Sequence, residues 1–152
     1  MFVSNGMNST NHDDLFKILI VQSDPDVCEV LRDSLEAEGY LIETVERGRA
    51  AAGRLQQASY GTVLLDMKLT DSDGLTVLKT LRAVDPTLPV IILTGFQHKG
   101  TVEAAANAGS FAYMLMPYEP SEMKAVVHCA IAHRRHSQHR LASGCHATGA
   151  QF

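Results

Sequence analysis

The chain has 152 residues, 45% of them hydrophobic and 20% charged, which suits one globular domain with its own core. No apolar run approaches the roughly 20 residues that a membrane helix needs. The opening residues MFVSNGMNSTNHDD lack a basic region followed by a hydrophobic stretch, so a cytoplasmic protein without membrane contact is expected. The net charge of −4 is uneven: all 17 acids but only 10 of the 13 lysines and arginines lie before residue 131, leaving that part at −7. So acidic a body is a poor nucleic-acid binder.

Residues 1–15 have no periodicity and are expected to be a flexible leader. KILIV (17–21) is the first strand candidate. Asp24 then suits a helix N-cap and Pro25 the first helical position, with Val27, Val30, Leu31 and Leu35 at helical spacing and Gly39 as a left-handed cap. LIETV (41–45) is the second strand, followed by a helix over 48–57. TVLLD (62–66) is the third, and Leu75, Leu78 and Leu81 mark a helix that Pro86 stops. PVIIL (89–93) precedes a short helix, TVEAAANA, and FAYML (111–115) precedes a helix expected to be capped by Ser121, with Met123, Val126, Val127, Ala130 and Ile131 on one face.

Five strand–helix units whose strands are apolar on both faces imply a parallel α/β sheet with helices on both sides. Right-handed crossovers favour the flavodoxin-like strand order 2-1-3-4-5. Ligands of such sheets bind beyond the carboxyl ends of the strands at the switch point, here between strands 1 and 3. The residues just past the strands are therefore the candidates: Gln22, Ser23 and Asp24, then Asp66, Thr94, and Met116 with Pro117. An ionised carboxylate is costly to bury without partners, which draws attention to Asp66, although Asp at a strand end also serves as a turn cap.

DMKLTDSDGLTVLKTLR, starting at Asp66, resembles the phosphoacceptor segment of receiver domains in two-component response regulators. There an Asp is followed by a variable loop, an acid and a Gly before a helix, a pattern that Asp66, Asp73, Gly74 and Leu75 follow. Thr94, Tyr113 and Pro117 also fall into the family's order, and the resemblance covers residues 16–133. It implies a CheY-like phosphorelay switch, not an enzyme in its own right. Asp66 would accept a phosphoryl group from a histidine kinase or phosphotransfer protein, and Thr94 and Tyr113 would be the switch pair. Magnesium would be held by acids after strand 1, by Asp66 and by the backbone carbonyl of Lys68. The bond before Pro117 would be cis, and a downstream protein would dock on helix 4, strand 5 and helix 5, a face compatible with a homodimer.

The chain departs from that pattern in its working parts. Gln22 and Ser23 stand at the two metal-binding acid positions, and Met116 at that of the phosphate-binding lysine. Asp24, one place late, either caps helix 1 or serves as a surrogate ligand, the cap being favoured. Lys68 and Lys99 are weak candidates to replace the lysine. Magnesium binding is thus expected to be weak. Two readings follow: a phosphorelay receiver with a degenerate pocket, or a pseudo-receiver interaction module that acts without phosphorylation. A flavin carrier on the same fold is disfavoured because the QSDPD loop lacks the glycine and hydroxyl run that wraps a phosphate.

Residues 134–152 are expected to be a basic, His-rich tail or linker. His133, His136 and His139 drift around a helix without an acid or Cys at ligand spacing, so zinc is not favoured. Cys28, Cys129 and Cys145 form no CxxC pair and are expected to be reduced thiols.

Overall fold

The five apolar runs form one parallel sheet: β1 Lys17–Val21, β2 Leu41–Val45, β3 Thr62–Leu65, β4 Val90–Thr94 and β5 Ala112–Leu115. The structure, a computed structural model, describes residues 15–95 and 99–142. Residues 1–14, where a leader is expected, Cys145 and the chain after residue 142 lie outside the described residues, as do the side chains of Lys99 and His139. The helices are α1 Pro25–Glu36, α2 Gly48–Gln57, α3 Gly74–Val84, α4 Lys99–Asn107 and α5 Pro120–Ala142. The strand order is β2-β1-β3-β4-β5, the doubly wound flavodoxin-like arrangement. β1 therefore pairs with both β2 and β3, Ile18 lying beside Ile42 on one side and Thr62 on the other.

Alternation along the strands feeds two cores. Ile18, Ile20, Leu64 and Ile91 pack on one face against Leu31 and Leu35 of α1 and Met123, Val127 and Ile131 of α5. Leu19, Val21, Val63, Leu65 and Ile92 pack on the other against Ala51 of α2, Val77, Leu78 and Leu81 of α3, and Ala105 of α4. Each of the valine, leucine, isoleucine and methionine side chains among them stabilises the fold by about 1.5–3 kcal/mol on burial. This anchors the strand ends, and with them the loops of the site.

Details differ at element edges. Asp66 lies one residue beyond β3, which frees its side chain from the sheet's two faces. α4 begins at Lys99, earlier than expected, and Leu75 is only half-buried while Val77 takes the core position. Ser121 is not the cap of α5: Pro120 already occupies the first turn, and the Glu119 carbonyl accepts from Glu122 N and Met123 N, each at 3.0 Å. Leu15, assigned to the leader, is 6% exposed and belongs to the core.

The far end of α5 gives the largest correction. Arg134, placed by the sequence in the tail, is 2% exposed. Its Nη1 and Nη2 donate to the two carboxylate oxygens of Asp85 at 3.0 and 2.8 Å, Nη1 also donates to Thr87 Oγ1 at 2.7 Å, and Nε donates to the Tyr60 carbonyl at 3.2 Å. A guanidinium's planar fork suits this bidentate grip. The boundary at residue 133 thus falls inside a packed helix, and α5 is tied to the chain before β3 and to the α3–β4 loop. The His133 ring lies tilted against that of Phe111, their ring centroids 5.4 Å apart.

Candidate functional site

Backbone hydrogen bonds continue past the strands and bring the expected residues to one edge of the sheet. Gln22 N donates to Val45 O and Asp66 N to Val21 O, both at 3.1 Å, and Met116 N donates to Thr94 O at 2.8 Å. Asp66, half-buried, accepts from Lys68 N on Oδ1 at 3.3 Å. Thr94 is 1% exposed at the end of β4. The Tyr113 phenol is pushed up, first by burial and then by the negative charge of Asp66.

The loop after β1 is occupied with its own structure. Gln22, 5% exposed, accepts from Asp24 N on Oε1 at 3.0 Å. Ser23 Oγ donates to Glu46 O at 2.9 Å and accepts from Thr70 N at 3.2 Å. Asp24 Oδ1 accepts from Asp26 N at 2.9 Å, so of its two candidate roles the side chain takes that of the helix cap. Met116 lines an apolar groove of about 530 Å³ with Val27, Val30, Pro117 and Tyr118, and the Met116–Pro117 bond is cis.

Asp73 caps α3, accepting from Thr76 N at 2.9 Å and Thr76 Oγ1 at 3.0 Å. The Thr76 amide is the main cause of its lowered pKa, working against burial. Gly74 is a matter of space: a Cβ there would lie 2.5 Å from Met67 Cα and 2.7 Å from the Asp66 carbonyl oxygen. The Asp-Gly pair therefore seats α3 directly against the backbone that carries Asp66.

Sequence reasoning missed Asp71. It caps α2 from a different loop, Oδ1 accepting from Gly48 N at 2.8 Å and Oδ2 from Arg49 N at 3.2 Å. Burial raises its pKa, but these amides and the Ser72 hydroxyl outweigh that and hold the carboxyl low. The available sequence signal was negative: Arg47, just before α2, is not a capping residue type, and it makes no capping bond. A partner so distant in sequence leaves no local pattern.

These donors do not fit the magnesium site that the family resemblance implies. Magnesium needs about six oxygens in near-octahedral array, usually including one or two carboxylates. Asp66 supplies one carboxylate; Gln22, Ser23 and Asp24 have committed oxygens to protein donors or acceptors. Among the described residues there is no cluster of three or more His, Cys, Asp or Glu side chains able to hold a metal. Lys68 lies on the loop after β3, exposed, its backbone paired with Asp73.

A five-stranded doubly wound sheet with a carboxylate at its β1/β3 switch point, a buried threonine on β4 and a cis-proline loop after β5 defines a receiver-type α/β domain. The chain belongs to the response regulator receiver domain family, matched over residues 18–128, and is thus a receiver domain of two-component signalling. It is 30% identical over 135 residues to the transcriptional regulatory protein ZraR of Salmonella typhimurium, covering 89% of this chain and 30% of that protein. The chain therefore spans under a third of that relative. The CheY-like receiver domain protein of Methanospirillum hungatei shares the fold, with TM-score 0.77 at 24% identity over 80% of this chain and 97% of that one. The receiver domain of a Pseudomonas aeruginosa sensor histidine kinase, solved with magnesium coordinated in its active site cleft, gives TM-score 0.71 at 26% identity over 76% and 97%.

Proposed function

We propose that this receiver acts as a protein-interaction module of two-component signalling, without efficient magnesium-dependent phosphorylation of Asp66. The observation that carries this is the state of the β1–α1 loop, where Gln22 Oε1, Ser23 Oγ and one carboxylate oxygen of Asp24 hold loop amides, a neighbouring loop and a helix end. Phosphoryl transfer to a carboxylate depends on positioning and charge neutralisation. Here the acid pair is absent and methionine stands at the lysine position, so cation binding is weakened and the ammonium that would offset the phosphoryl oxygens is missing.

The partners are a histidine kinase or phosphotransfer protein on the input side and a downstream protein on α4, β5 and α5, where Leu115 is 41% exposed. Cytoplasmic residence belongs to the same proposal, as does the lack of direct contact with nucleic acid, which the acidic body supports. No described helix is long and apolar enough to cross a membrane.

A second reading keeps Asp66 as a working phosphoacceptor with Thr94 and Tyr113 as its switch pair. The charge coupling of Tyr113 to Asp66 favours it. Intact-mass measurement after incubation with a small phosphodonor and magnesium separates the two, with Asp66→Asn as control. The proposal expects little or no added phosphoryl mass. Rapid, Asp66-dependent labelling would establish the second reading instead.

A further inference from the structure

The oxygens that a metal would need are not idle, and what they hold is specific. Ser23 Oγ has one proton, given to the Glu46 carbonyl of the β2–α2 loop at 2.9 Å. Its two lone pairs then face Thr70, whose amide donates at 3.2 Å and whose hydroxyl lies 3.5 Å away. With that proton committed, the Thr70 hydroxyl is the donor of the longer contact. Ser23 thus has its full complement of bonds, all to other loops.

The next residue after Thr70 continues the chain of contacts. Asp71 grips the first amides of α2, Gly48 N at 2.8 Å and Arg49 N at 3.2 Å, and accepts from Ser72 Oγ at 3.2 Å. Arg47, the N-cap residue of α2, makes no side-chain capping bond of its own. The β1–α1, β2–α2 and β3–α3 loops are therefore closed into one ring: Glu46 to Ser23, Ser23 to Thr70, Asp71 back to Gly48. The β3–α3 loop is the one that leads away from Asp66.

We propose that Ser23 and Asp71 form a metal-independent clamp that fixes the β3–α3 loop, so that the loop's conformation no longer depends on a divalent cation. This rests on the proposed function and deepens it: the position that would bind a cation instead supplies the cross-link. Ser23 and Asp71 are positioning residues, acting on Asp66 only through the loop between them. Loss of the Ser23 hydroxyl must be felt at Gly48 and Arg49, to which Ser23 makes no side-chain bond.

Amide hydrogen exchange by NMR on the full chain, without phosphodonor, tests this. Ser23→Ala is expected to speed exchange at Gly48 and Arg49 by about 2- to 10-fold, the range set by one net hydrogen bond, and Ser23→Thr to restore it. In the reverse direction, Asp71→Asn is expected to speed exchange at Thr70, which keeps the experiment decisive if Ser23→Ala does not fold. Wild-type exchange at Thr70 should not change with millimolar magnesium. Unaltered Gly48 and Arg49 in Ser23→Ala, unaltered Thr70 in Asp71→Asn, or magnesium-dependent protection of Thr70 in the wild type would each overturn the clamp. Because no phosphoryl group is involved, failure here is separable from failure of the proposed function, which labelling of Asp66 decides.

Discussion

Asp85→Ala should be among the most damaging substitutions outside the strands. It leaves the Arg134 guanidinium, 2% exposed, without its bidentate carboxylate. Removing one partner of a buried pair costs about 3–5 kcal/mol because the other charge stays buried. Asp85 itself is 28% exposed, so water can enter once the carboxylate is gone, and the low end, about 3 kcal/mol, applies. For a domain of this size that is a fall of roughly 12 °C in Tm. Arg134→Met should cost less, about 1–3 kcal/mol, since Asp85 can rehydrate and mainly the Tyr60 carbonyl loses a buried donor. Urea unfolding of both single variants and the double variant measures the coupling, expected above about 1 kcal/mol. Truncation after residue 133 should destabilise like the Arg134 variant. A cost below about 1 kcal/mol for Asp85→Ala, or a truncated chain as stable as the whole, would refute the claim that this part of α5 belongs to the domain.

Acid should weaken the fold in a defined window. Burial raises Asp85, but the Arg134 hydrogen bonds and charge outweigh it and lower its pKa below the ordinary 3.8. Glu43 is likewise lowered from 4.5 by Tyr60, Arg54 and Lys17 against burial. Both contributions are therefore complete above those values and lost as pH falls through the lower folded ones; unchanged urea midpoints through that window would contradict this. Tyr60, whose hydroxyl donates to Glu43 at 2.6 Å and whose pKa is pushed up to about 12 by burial and then by that bond, should be the last tyrosine to ionise in an ultraviolet titration. Tyr60→Phe should abolish that late step. Gly74→Ala should cost about 1–3 kcal/mol through overpacking against the Asp66–Met67 backbone, visible as a lowered urea midpoint.

Most of the architecture was legible because its signals are local. Apolar runs of the right length gave the strands, and Asp24, Pro25 and Gly39 marked the ends of α1, Gly39 adopting φ +96°. The family pattern after Asp66 pointed to the strand-end residues that the fold brings to one edge of the sheet, and the departures from it at Gln22, Ser23 and Met116 were visible as plain substitutions. Contacts between distant segments were not legible. Arg134 reads as tail because a basic run at a helix end is ordinarily solvated, and nothing nearby in sequence reveals Asp85 or the Tyr60 carbonyl. Asp71 reads as a loop residue for the same reason. What Gln22 and Ser23 do could be stated from sequence only as a loss; the bonds they make instead depend on Glu46 and Thr70.

On the proposed reading, the switch-point loop has exchanged cation binding for internal hydrogen bonds. A magnesium titration of the wild-type chain beside the Gln22→Asp, Ser23→Asp, Met116→Lys variant, followed through the amides of residues 66–74, tests it most directly. The wild type should show no sub-millimolar transition while the variant gains one. Saturation of the unmodified chain at sub-millimolar magnesium, centred on Asp66, would contradict it.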